Sequence, residues 1–144
     1  MRSRTPFFAG LILALLPFVA TAGESIGISV RDAWVRESPP GMAMTAGYMA
    51  LQNNTSRRQA LVAASSHQFE TVMIHRTVEK GGMTGMVHVP QVELAPSMRL
   101  KFAPGGYHLM LMNPKQPLRA GESVVINLEF RGGLVQPVTF EVRK

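Results

Sequence analysis

The chain has 144 residues, a formal net charge of +6, 46% hydrophobic residues, ten methionines and no cysteine. The positive residues are scattered and aromatics are few, which argues against a nucleic-acid surface, where basic side chains cluster and interleave with stacking rings. Without cysteine there are no disulfides, no thiolate ligand and no lipid anchor on sulfur.

In chain order, Arg2 and Arg4 form a positive start, Phe7 to Val19 is an uncharged apolar run, and Ala20-Thr21-Ala22 has the small-residue pattern of a signal-peptidase site. The apolar run is too short to span a bilayer comfortably. Residues 1–22 are therefore expected to be a signal peptide cleaved after Ala22, leaving no stable membrane anchor. Residues 23–144 are expected to form one domain, exported to the periplasm, with a net charge of about +4.

Turn punctuation then recurs at short intervals: Pro39-Pro40-Gly41, Asn53-Asn54, Gly81-Gly82, Pro104-Gly105-Gly106, Gly121 and Gly132-Gly133. The intervening segments are short and rich in strand-forming residues. They run over 26–35, 45–51, 59–64, 71–78, 83–89, 98–102, 107–112, 123–130 and 134–142, with Met98, Leu100 and Phe102 alternating against Arg99 and Lys101. Eight or nine such strands predict an all-β sandwich or barrel. Ala60 to Ser66 is the one place where a helical turn is conceivable.

The catalytic inventory is poor. Asp32 is the sole aspartate, and neither a nucleophile elbow nor a zinc-protease or paired-cysteine motif is present. The domain reads as a binding protein, not an enzyme. Its histidines and methionines offer different chemistry: His75, Met86, His108 and Met110. Positions 108 and 110 share one face of a strand, and the Glu79-Lys80-Gly81-Gly82 turn predicts a hairpin that brings His75 and Met86 together. Two imidazoles and two thioethers suit a soft monovalent copper ion far better than magnesium, calcium or manganese. Only the histidines couple such binding to pH, because thioethers carry no proton.

The spacing His-x10-Met-x21-His-x-Met resembles the periplasmic copper chaperone family PCu(A)C. Around its end runs Gly105-Gly106-Tyr107-His108-Leu109-Met110-Leu111-Met112. Asp32-Ala33-Trp34-Val35-Arg36, Pro39-Pro40 and Ala46-Gly47-Tyr48-Met49 are similar to that family's first strands. The resemblance implies a cupredoxin-like sandwich holding one copper(I) ion. It also implies delivery to the binuclear copper centre of cytochrome c oxidase, often beside a second, thiol-bearing copper chaperone. The chain ends at Lys144 without the His- and Met-rich tail of many members, which puts a strong Cu(II) site in doubt.

Met49, Met73 and Met98 are expected in the core. Met112 shares the face of His108 and Met110, and His88 that of Met86. His67 reads as a loop residue, and Met42 and Met44 are placed to cover the site. Whether Met112, His88 or Met83 assists is left open by the sequence. A blue-copper electron carrier is excluded by the missing thiolate. Copper sequestration and a metal-free immunoglobulin-like interaction module stand as alternatives.

Overall fold

The computed structural model describes residues 27–144. The expected signal peptide, 1–22, and Ile26 lie outside the described residues. The described chain forms ten strands: β1 Ile28–Arg36, β2 Met44–Asn53, β3 Gln59–Ser65, β4 Phe69–Lys80, β5 Met83–His88, β6 Val92–Leu94, β7 Arg99–Phe102, β8 Tyr107–Pro114, β9 Ser123–Phe130 and β10 Val135–Arg143. The all-β expectation holds. The conceivable helical turn at Ala60 does not form, because that segment pairs with β6 on one side and β9 on the other. The unexpected β6 spans three residues between Pro90 and Pro96, too short to announce itself by alternation.

All ten strands join in one hydrogen-bonded order, β5-β4-β8-β7-β2-β1-β10-β9-β3-β6, with β8 also pairing with β2. Most neighbours are antiparallel, but β1 runs parallel to β10, and β7 meets β8 in a single parallel pairing. The sheet folds over on itself, so that β3 packs on β4 without pairing to it. Its inner faces meet in one cluster that includes Ile74, Leu109, Leu111, Phe102, Leu51, Phe140, Ile126, Leu128 and Leu61. Full burial of each such side chain contributes roughly 1.5–3 kcal/mol. In a chain without disulfides this burial carries the fold.

One polar residue is built into the core. Asn53 is fully buried at the end of β2, where its amide nitrogen donates to the carbonyls of Arg57, Leu94 and Ala95. Its Oδ1 accepts from the backbone N–H and the hydroxyl of Thr55. The amide thereby ties the β2–β3 turn to β6, and its polar atoms are satisfied inside.

Candidate metal centre

Strict alternation along β4 and β8 decides what faces outward. Ile74, Leu109 and Leu111 point into the core, while Met73, His75, His108, Met110 and Met112 fall on the opposite face. Cross-strand register aligns these outward residues: His75 stands opposite His108, and Met73 opposite Met110. On the other side of β8, Met110 faces Ala46 and Met112 faces Met44.

The expected hairpin forms between β4 and β5. Gly81 and Gly82 have φ of 61° and 76°, the left-handed backbone that a two-residue turn of this kind demands, with Lys80 paired to Met83 across it. Continuing the register places Thr77 opposite Met86 and His75 opposite His88. His75 and Met86 are therefore diagonal neighbours on the same face, within reach of long side chains.

His108 is only 3% exposed. Its Nδ1 lies 3.2 Å from the carbonyl oxygen of Gly106, which fixes that nitrogen as the donor and leaves the Nε2 lone pair free. Nε2 is buried with no hydrogen-bond partner among the described residues, and so is Nδ1 of His75. Leaving two buried ring nitrogens unpaired costs free energy, and a metal ion that accepts their lone pairs removes that cost. The two rings have centroids 5.9 Å apart. With metal–nitrogen bonds of about 2.0 Å, two imidazoles on one ion have centroids roughly 5–6 Å apart. Burial, with the neighbouring His108 and His88, holds the His75 pKa below its ordinary value and favours the neutral form a metal requires.

Thioethers supply the rest. Met86, His108 and Met110 line one pocket of about 340 Å³, together with Met42, Met44, Thr77 and Gly105. His75 stands beside this pocket through its pairing with His108. Met86 is 58% exposed and Met110 half-buried, so the sulfur side of the site is open to solvent. Among the described residues no three His, Cys, Asp or Glu side chains are placed to hold one ion between them, as a hard-metal cage would require. The donors present suit a soft ion.

Several expectations are refined here. His88 lies as near to His75 as His108 does, 5.9 Å between centroids, but it is exposed and leaves no buried nitrogen unpaired. Met49 is in the core as expected; Met73 is not, being half-buried on the outer face opposite Met110, and Met98 is 37% exposed. His67 lies in the exposed turn between β3 and β4. Arg36 and Glu37 at the pocket wall were not anticipated, because nothing in the sequence links the end of β1 to this face.

A buried His108 paired with a partly buried His75, beside an open ring of thioethers on the outer face of an all-β domain, defines a candidate soft-metal-binding β-domain. Comparison with known proteins makes the class specific. Residues 28–142 match the family model "Putative lipoprotein LpqE-like". The putative lipoprotein Lxx21020 of Leifsonia xyli subsp. xyli is 35% identical over 121 residues, covering 83% of this chain and 72% of that protein. The Cu(I) solution structure of DR1885 from Deinococcus radiodurans is 34% identical with a TM-score of 0.67, over 87% of this chain and 83% of that one. The copper-bound PCuAC domain from PmoF2 shares the fold, at 22% identity and a TM-score of 0.69, over 81% of this chain and 92% of that one. This chain belongs to the LpqE-like family of PCu(A)C copper chaperone domains.

Proposed function

We propose that this protein is an exported carrier that binds one copper(I) ion through His75, Met86, His108 and Met110 and delivers it to the binuclear copper centre of cytochrome c oxidase. The observation that carries the reading is the pair of buried ring nitrogens without hydrogen-bond partners among the described residues, on His75 and His108, which are cross-strand partners on β4 and β8 beside a thioether-lined pocket. The 34%-identical relative DR1885, whose solution structure is of its Cu(I) form, supports the choice of ion. A matching relative named as a putative lipoprotein supports export, in line with the apolar start of this chain and its expected cleavage after Ala22.

The site's asymmetry suits transfer. His108 sits deep and His75 is partly buried, while Met86 lies exposed on β5 at the edge of the sheet. An acceptor thiolate or imidazole approaching from that side displaces a neutral thioether without any proton changing hands. The test is to mix the Cu(I)-loaded protein with the metal-free copper domain of an oxidase, separate the two proteins and measure the copper each one holds. Transfer that is lost when His108 is replaced supports delivery. Copper that stays on this chain despite a tighter-binding acceptor assigns it to sequestration instead. A second, thiol-bearing chaperone belongs to the same proposal, and its effect is read by adding it to this mixture.

A further inference from the structure

We propose that Met42 and Met44, together with Met110, form a second and weaker station for a soft monovalent metal ion at the mouth of the pocket. The proposal rests on the reading of the inner site as a copper(I) site and adds a position outside it. Met42 and Met44 are 53% and 47% exposed, yet both line the same pocket as Met86, His108 and Met110. Methionines gathered around one opening make an apolar surface that folding alone does not require.

The backbone brings the sulfurs within range. Met44 stands opposite Met112, and two residues further along β2 Ala46 stands opposite Met110. Met44 and Met110 are thus diagonal neighbours on one face, a separation that long side chains bridge. Met42 is turned back over the same face by a tight turn in which its N–H donates to the carbonyl of Pro39. Three unbranched, flexible side chains can bring their sulfurs together on one small ion.

Three neutral thioethers hold Cu(I) or Ag(I) but offer little to a hard divalent cation. Arg36 and Glu37 line the same pocket with opposite charges, so sulfur and not net charge selects the ion. Because Met110 belongs to both positions, filling one empties the other. The chain still carries a single ion, which reaches the inner imidazoles by way of the outer sulfurs.

The experiment uses Ag(I), a redox-inert soft ion, with methionine methyl groups labelled for NMR. In a His75→Ala/His108→Ala variant, one weak equivalent of Ag(I) shifts the methyls of Met42, Met44 and Met110. Adding Met42→Leu/Met44→Leu weakens that residual binding at least about tenfold. Shifts confined to Met86 and Met110, or an unchanged affinity, overturn the proposal. A second measurement keeps both histidines and does not depend on how that variant folds. There Met42→Leu/Met44→Leu slows Cu(I) uptake from a weak chelate by about fivefold or more, since the entry position is gone. Equal uptake rates overturn the outer station while leaving the inner site standing. A parent chain that binds neither ion overturns the inner site as well.

Discussion

His75 on β4 and His108 on β8 are direct cross-strand partners, and each buries a ring nitrogen that nothing among the described residues satisfies. Bare nitrogens on two rings with centroids 5.9 Å apart, beside thioethers and, among the described residues, without a three-residue cage of His, Cys, Asp or Glu, call for one soft ion. Competition against a Cu(I) chelator is expected to plateau at one equivalent per chain, with Cu(II) bound much more weakly. Two tight equivalents, or a preference for Cu(II), would contradict the ligand set.

The lowered pKa of His75 makes a prediction for the metal-free protein. Its causes are, first, burial and then the neighbouring His108 and His88. The unfolded chain protonates this imidazole near pH 6.5, whereas the folded chain resists doing so until lower pH. Between those two values the unfolded state holds more protons, so stability rises with pH there. It is fully present above about pH 6.5 and declines as pH falls below it. Urea midpoints of the parent should drop between pH 7.5 and 5.5 by more than those of His75→Gln. For the same reason Cu(I) affinity should stay nearly flat down to about pH 6.5 and weaken only in more acid solution. A parent and variant with parallel pH profiles would remove His75 as the source.

Much of this site was legible in the sequence because it rests on parity and turn chemistry. Gly81-Gly82 announced the hairpin that sets Met86 beside His75, and the i, i+2 spacing of His108, Met110 and Met112 placed them on one face. Parity does not say which face is the interior. Val72-Met73-Ile74 is apolar on both sides, so Met73 reads as core until the packing of Ile74 shows the reverse. Nor does sequence separate His88 from His108. Both are strand histidines next to His75, and only burial distinguishes them. At Ala60 the local preference was weak, and pairing on both edges decided the conformation.

Asn53 predicts a change in stability that leaves the metal site alone. Asn53→Ala takes the amide donor from the carbonyls of Leu94 and Ala95 in the interior and the amide acceptor from the backbone N–H of Thr55. The expected cost is about 3 kcal/mol, read from urea midpoints. Asn53 closes the end of β2 opposite to Met44, roughly 30 Å along the strand at about 3.3 Å per residue. Cu(I) affinity of the folded variant should therefore match that of the parent. Loss of copper binding at full folding would mean that the two ends of β2 are coupled.

Methionine-to-leucine substitutions separate ligands from packing, because they keep side-chain volume and remove the sulfur. In a core the change costs under about 1.5 kcal/mol, and at Met86, which is 58% exposed, it should cost the fold almost nothing. Met86→Leu and Met110→Leu are each expected to weaken Cu(I) binding at least about tenfold, near 1.4 kcal/mol. Met49→Leu is the proper control: Met49 is 1% exposed and lies in the core cluster, so its variant shifts the urea midpoint without altering copper affinity. Met73 does not serve that purpose, since it stands opposite Met110 on the outer face. Met112 distinguishes parity from identity, because it shares the face of His108 but pairs with Thr71 and Met44, one step further from the histidines. If Met112→Leu abolishes binding and Met110→Leu does not, the face is right and the sulfur is wrong. If neither variant matters, the lone pairs of His75 and His108 are satisfied by something other than this thioether-lined ion.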